Sequence, residues 1–336
     1  VDIREGDAGI TLCDLGGPVD FALIDGRLGT EPSFARQAIE LVAPQLRIGG
    51  YVMNDNAEPD SLGYIRDTTK GFLVTTIDRG AHVTHLSGKV ALVTGSSRGI
   101  GRGIAERLAR DGALVAVHYG SNRTAAEETA ATIAEAGGRA FTVGAELGVP
   151  GDVDTLMTGL ESGLRAHGES MLDILVHNAG LNFMGRPIEV LTPEEFDQMV
   201  AVNVKAPFFL TQRLLPRLRD GGRIVNISSV STRLASDHGI GYPLTKGALD
   251  VFSHTLAKHL GPRGITVNSV VVGFTRTDMT ADALSDPATL ERNISRTALG
   301  RIGQVPDIAD AVAFLASDDA RWITGAKVDV TGGVNL

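Results

Sequence analysis

From Lys89 onward the chain alternates between two hydrophobic periods. Short apolar runs at Val90–Thr94, Leu114–His118, Ala140–Val143, Ile174–His177, Arg223–Ile227, Ile265–Val271 and Lys327–Val330 are bounded by turn residues and predict strands. Between them, stretches such as GIGRGIAERLARDG (99–112) and TAAEETAATIAEAGG (124–138) repeat apolar residues at three- and four-residue spacing and predict amphipathic helices. Gly112 and Gly137 fall where those helices should end. Continuous apolar strands alternating with such helices predict a parallel sheet covered on both faces, a doubly wound α/β fold of the Rossmann type. Residues 1–79 hold a smaller α/β pattern, with strand-like runs near 1–4, 21–24, 51–53 and 72–77 and a helical stretch at 31–46. The expected division is a partial domain at 1–79, a linker at 80–87 and the main domain at 88–336.

Composition narrows the function classes. A formal charge of −9 without a basic cluster argues against broad nucleic-acid binding, which needs a basic face to neutralise phosphates. The single cysteine, Cys13, cannot form an internal disulfide, so a reducing cytoplasm fits. No apolar run reaches the roughly 18 residues of a membrane span, and the first residues lack a signal-peptide pattern. The expected partner is a small molecule, with neither nucleic acid nor membrane.

The first βα turn carries the chemistry of anion binding. In T94-G-S-S-R-G-I-G101, Gly95 permits the sharp turn, Gly99 lets backbone N–H groups approach a pyrophosphate, and Gly101 permits close packing of the helix. The second strand ends in V117-H-Y-G-S-N-R123 with no carboxylate to bind a ribose 2′-OH. Arg98 and Arg123 can instead pair with a 2′-phosphate, which favours NADP(H) over NAD(H). Downstream come H177-N-A-G180, Asn203, Ser229 at a strand end, and Y242-P-L-T-K246 opening a helix. Tyr242 and Lys246 share a helix face at i and i+4, roughly 6 Å apart at Cβ. An ammonium so placed is expected to lower the phenol pKa, fitting Tyr242 to exchange a proton with a ketone or alcohol oxygen. Ser229 can donate to the same oxygen, and Asn203 can hold a water that links Lys246 to solvent.

The glycine spacing G-x-x-x-G-x-G and the ordered Asn–Ser–Tyr–Lys set resemble the classical short-chain dehydrogenases/reductases, most of all the 3-oxoacyl-carrier-protein reductase type, over residues 88–336. The resemblance implies an NADP(H)-dependent oxidoreductase acting on a ketone or secondary alcohol, with a 3-oxoacyl thioester or polyketide-like ketone as substrate class. It implies catalytic roles for Ser229, Tyr242, Lys246 and Asn203. It implies cofactor contacts at Gly95, Ser97, Arg98, Gly99, Ile100 and Gly101, at Tyr119 and Arg123, at Glu146 and Leu147 near the adenine, and at Asn178, Ala179 and Gly180. Tyr242, Lys246, Gly273, Thr275 and Thr277 complete that set. It further implies a substrate lid at 274–300 and a homotetramer or homodimer built through helices near 194–219 and 241–260. Three positions depart from the family pattern: His177 replaces its usual Asn, Glu146 an Asp, and Val272-Gly273 a Pro-Gly pair. A strand-end His such as His177 is expected to be packed rather than catalytic.

Residues 1–79 resemble the C-terminal part of a class I S-adenosylmethionine-dependent O-methyltransferase, through V19-D-F-A-L-I-D-G26 and G49-G-Y-V-M-N-D-N56. The resemblance lacks the Gly-rich strand and ribose-binding acid, so no S-adenosylmethionine binding is expected. Asp25, Asp55 and Asn56 are an oxygen-ligand set for Mg²⁺ in principle, but loop capping is the expected role and no metal is assigned. Two other function classes stay open at this point: a methyltransferase–reductase fusion, and a non-catalytic NADP(H)-binding scaffold.

Overall fold

The computed structural model describes residues 19–24, 46–54, 85–183, 185–235 and 239–336. The chain divides into two compact units, Val1–His82 and Val83–Leu336. In the first, strands β1 (Val19–Ile24) and β2 (Leu46–Asn54) pair in parallel. The runs expected near 1–4 and 72–77, and Asp25, Asp55 and Asn56, lie outside the described residues.

The second unit begins with β3 (Val90–Val93), α1 (Gly99–Arg110), β4 (Leu114–Tyr119), α2 (Arg123–Glu135), β5 (Arg139–Gly144), α3 (Asp152–Ala166) and β6 (Leu172–His177). There follow α4 (Pro193–Val200), α5 (Ala206–Leu214), β7 (Leu218–Ser229), α6 (Gly241–Leu260) and β8 (Thr266–Val272). The unit closes with α7 (Ala281–Ser285), α8 (Pro287–Ser295), α9 (Val305–Ala316) and β9 (Lys327–Val330). Seven strands form one parallel sheet in the order β5-β4-β3-β6-β7-β8-β9. This is the doubly wound fold expected from the alternating pattern.

Side-chain alternation along each strand divides the core in two. Ala91 and Val93 of β3 and Val115 and Val117 of β4 face Ile104 and Leu108 of α1 and Ile308 and Val312 of α9. Val90, Leu92, Leu114 and Ala116 point the other way, toward Leu156 and Leu160 of α3, Leu210 of α5 and Leu256 of α6. Each fully buried leucine contributes about 1.5–3 kcal/mol of apolar burial, so both helical layers are held firmly to the sheet. The strand order reverses between β3 and β6, which are neighbours in space but not in sequence. In open α/β sheets the crevice for a ligand opens beyond the carboxyl ends at such a reversal. The loops that leave β3 and β6 there begin at Thr94 and Asn178.

Candidate active site

The loop after β3 is fastened from three sides. The Asn178 side-chain amide donates to the carbonyls of Thr94 (2.9 Å) and Gly95 (3.0 Å). The Thr94 hydroxyl accepts from the N–H groups of Asn178 and Ala179 at 3.0 and 3.1 Å. Ser96 donates its N–H to the His118 carbonyl, and its hydroxyl donates to the Val93 carbonyl. Gly95 adopts φ +63°, and a Cβ there would stand 2.9 Å from Ala179 Cα. At Gly101 a Cβ would meet the Gly95 carbonyl oxygen at 2.3 Å, so only glycine lets α1 start this close to the turn. Beyond these anchors, the successive N–H groups from Ser97 to Gly101 have no acceptor among the described residues. They open α1, where the helix dipole also favours an anion. The residues present therefore fit a pyrophosphate.

The other expected cofactor residues surround this loop. Tyr119 and Arg123 lie at the end of β4 and the start of α2, and Glu146 and Leu147 follow β5. Arg98 is exposed and makes no ion pair among the described residues, whereas Arg123 Nε pairs with Glu127 at 2.7 Å. Ile100 packs on the core beneath the loop. The Ser97 carbonyl accepts from the Thr129 hydroxyl at 3.3 Å. After β8, Gly273 lies so near Thr331 that a Cβ would meet Thr331 Cα at 2.7 Å, and Thr275 is buried. Thr277 comes next to Gly99, since a Cβ on that glycine would stand 3.8 Å from Thr277 Cβ. The stretch expected as a lid holds the two short helices α7 and α8.

Ser229, Tyr242, Lys246 and Asn203 also converge at the carboxyl edge. Ser229 is the last residue of β7, and Tyr242 and Lys246 occupy the first turns of α6. Lys246 Nζ is buried, donates to the Ile227 carbonyl at 2.8 Å, and lies 5.6 Å from the Tyr242 ring centre. A Cβ on Gly180 would be 3.3 Å from Lys246 Nζ and 3.5 Å from Asn203 Oδ1, which ties the loop after β6 to this cluster. Asn203 sits in a five-residue π turn, Ala201–Lys205, between α4 and α5. Its Oδ1 accepts from the Leu181 N–H, and its Nδ2 donates to the Leu181 carbonyl and to the Thr245 hydroxyl, all at 2.8–2.9 Å. The side chain therefore braces the loop after β6.

Ser231 was not legible as part of this cluster. Its N–H and its hydroxyl both donate to Ser229 Oγ, at 3.2 and 2.9 Å. A serine oxygen has two lone pairs and one hydrogen. With both lone pairs taken, Ser229 is left as a donor, and the Tyr242 oxygen is its partner.

A family model described as enoyl-(acyl carrier protein) reductase matches residues 95–335, and a short-chain dehydrogenase/reductase from Serratia marcescens is 37% identical, with a TM-score of 0.69. The chain belongs to the short-chain dehydrogenase/reductase family. The Serratia match covers 75% of this chain and 99% of that one. The angucycline C-6 ketoreductase LanV, solved with bound NADP, is 54% identical over 75% of this chain and 97% of its own, with a TM-score of 0.72. LanV has also been solved with NADP and rabelomycin. The promiscuous reductase LugOII, which catalyses keto-reduction at C1 during lugdunomycin biosynthesis, is 53% identical, covering 75% of this chain and 100% of that one, with a TM-score of 0.72.

Electrostatics in this short-chain dehydrogenase/reductase differ from the sequence expectation at one point. Desolvation pushes the Tyr242 phenol up to about 12, and the Ser229 hydrogen bond only partly opposes this. The lowering expected from Lys246 does not appear: burial sets the direction, and only the Ser229 hydrogen bond opposes it. Lys246 itself is brought down to about 8 by burial, offset in part by Asp250 one turn further along α6. The Asp250 carboxylate is buried and receives no hydrogen bond among the described residues; Lys327 Nζ lies 3.3 Å from its Oδ2 as an ion pair without hydrogen-bond geometry.

Two buried histidines stay neutral. His177 bonds the Thr211 hydroxyl at 2.8 Å and is held at about 3 by desolvation and the nearby Lys246, as a packed residue would be. Desolvation lowers His118 from 6.5 to about 4. Between pH 6.5 and these lower values the unfolded chain binds protons that the folded chain refuses, so stability is full above 6.5 and falls with acid through that window. At pH 5 unfolding should take up about two protons, a slope of roughly 2.7 kcal/mol per pH unit. Urea unfolding at closely spaced pH values measures this directly; a flat unfolding free energy between pH 6.5 and 5 would contradict the buried, neutral state of both rings.

Proposed function

We propose that residues 88–336 form an NADP(H)-dependent ketoreductase with Tyr242 as acid/base, Ser229 as donor to the substrate oxygen, Lys246 as ribose binder and Asn203 in the proton path. The observation that carries this reading is the convergence of Tyr242, Ser229 and Lys246 beside a loop presenting unpaired N–H groups to an anion. The cofactor, when bound, supplies the hydride to the carbonyl carbon. When substrate binds, the Ser229 hydrogen turns from the Tyr242 oxygen to the carbonyl oxygen and orients it, Tyr242 gives its proton to that oxygen, and the product is a secondary alcohol. With the phenol raised by burial, Tyr242 carries its proton at neutral pH, which is the form that carbonyl reduction draws on.

The substrate proposed is an angucycline-type, polyketide-like ketone. Two proteins more than half identical to this chain reduce ketones of natural products, and LanV binds rabelomycin. Exposed apolar side chains on segments near the carboxyl edge, Ile188, Val190, Ile240, Leu244 and Met279, suit a large apolar substrate. A 3-oxoacyl thioester is the second substrate class. We further assign residues 1–79 to a methyltransferase-like fragment, 80–87 to a linker and the location to the cytoplasm. Supporting these are the parallel β1–β2 pair and two compact units parting near residue 82; no helix among the described residues is long and apolar enough to cross a membrane.

Cofactor choice tests the reading. NADPH should exceed NADH by more than about tenfold in kcat/KM, since a guanidinium–phosphate contact is stronger than a neutral one. Arg98→Ala combined with Arg123→Ala should remove most of that preference. Equal kcat/KM for the two cofactors in the unmodified protein would overturn the assignment at the end of β4. A homotetramer or dimer is also proposed. Phe208 and Phe209 of α5 and Val251 of α6 stand exposed on the two helices where the family assembles, and the Phe208 ring packs on Phe252 at 5.3 Å. Light scattering at micromolar concentration should give a multiple of 35.3 kDa; a monomer alone would refute it.

A further inference from the structure

We infer that His118 is a positioning residue for the cofactor, whose Nδ1 holds the turn that presents the phosphate-facing N–H groups. The inference rests on the NADP(H) reading above. His118 is only 2% exposed and ends the buried run of β4. It meets the loop three times. The Gly95 N–H donates to its Nδ1 at 2.9 Å, the Ser96 N–H donates to its carbonyl at 2.9 Å, and its own N–H donates to Ser96 Oγ at 3.0 Å.

The tautomer follows from this geometry. A backbone N–H can only donate, so Nδ1 must carry the lone pair and Nε2 the hydrogen. Nε2 accordingly donates to the Ala145 carbonyl at 2.9 Å. Burial holds the ring neutral, so both contacts persist at working pH. The chain of contacts runs from the end of β5, through one ring, to the first residue of the phosphate turn. Ala145 immediately precedes Glu146 and Leu147, so the ring ties the adenine side of the crevice to its phosphate side.

The contact to Gly95 has a particular consequence. Gly95 stands at φ +63° against Ala179, and its N–H points to the neighbouring strand rather than into the crevice. Without an acceptor there, a part-buried donor is left unpaired and the turn is free to rotate it toward another partner. The N–H groups from Ser97 to Gly101 would then lose their common aim. The cost falls on cofactor binding and leaves the chemistry at Tyr242 untouched.

Two substitutions separate the two ring contacts. In His118→Asn the side-chain oxygen takes the place of Nδ1 and keeps the Gly95 acceptor; in His118→Gln the amide reaches the place of Nε2 and keeps only the Ala145 contact. NADPH affinity is read by its fluorescence on the full chain, alongside steady-state kinetics with a ketone. The Asn variant should stay within about threefold of the unmodified Kd, the Gln variant should weaken it by about tenfold or more, and kcat at saturating NADPH should change by less than about twofold in both. Equal weakening in the two variants, or unmodified affinity in the Gln variant, would overturn the role of Nδ1. Should the Gln variant fail to fold, the Asn variant decides alone, and weakened binding there overturns the inference. Failure of the unmodified protein to bind NADPH would instead sink the cofactor reading itself.

Discussion

Replacing Tyr242 by Phe should leave a folded protein that binds NADPH as before and reduces ketones at no more than about a hundredth of the original rate. The ring would still pack beneath Lys246, whose Nζ lies 5.6 Å from its centre, so the cofactor side of the cluster is undisturbed. What is lost is the one hydroxyl that both accepts from Ser229 and carries a transferable proton. Ser229 should not take over, because an aliphatic hydroxyl is a much weaker acid than a phenol. Retention of more than about a hundredth of the rate, beyond the usual acid–base contribution, would show that the proton comes from elsewhere.

Lys246→Ala should damage rate and cofactor affinity together. The ammonium is buried and bonded to the Ile227 carbonyl, so truncation also unpairs that carbonyl and empties the space of a long side chain. A companion variant, Lys246→Met, keeps most of the volume and removes only the charge and the donors. Both should bind NADPH at least about tenfold more weakly and turn over about a hundredfold more slowly, as expected for loss of a charged hydrogen-bond donor that serves two tasks. Normal NADPH affinity in the Met variant would remove the ribose role of Lys246. Normal turnover in it would mean that the charge does not assist proton transfer.

Much of this was legible because the pattern of a parallel sheet is local. In the second unit each strand run was visible within a few residues of its final bounds; β7 proved longest, since Leu218 pairs with Leu172 of β6 and the register shift that follows carries 219–222 into the strand, rather than an apolar pattern. The Gly-rich turn before α1 and the placement of Tyr242 and Lys246 on one helix were legible for the same reason, as each is set by a short local stretch of sequence. The residues that escaped notice act through contacts across sequence. His118 reaches Gly95 and Ala145 over separations of 23 and 27 residues, and which of its nitrogens accepts depends on the register of β4 against its neighbours. Ser231 matters only because the turn after β7 folds its hydroxyl back on Ser229. The pKa of Tyr242 was misjudged for a related reason. Helical spacing gives the distance to Lys246, while the larger effect, desolvation, depends on everything packed around the phenol. Arg98 and Arg123 looked equivalent as residues, yet Arg123 is already paired with Glu127, so Arg98 is the freer cation for a 2′-phosphate.

The most direct test of the ketoreductase assignment is hydride tracing with a polycyclic aromatic ketone. NADPH carrying deuterium on the transferring face of its nicotinamide is supplied to the full chain, and the product is read by mass spectrometry and NMR. The account predicts a secondary alcohol with one deuterium on the carbinol carbon, formed one for one with the NADPH consumed and absent with the Tyr242→Phe variant. An alcohol that lacks the label, or NADPH that stays unconsumed across both polyketide-like ketones and 3-oxoacyl thioesters, would contradict it.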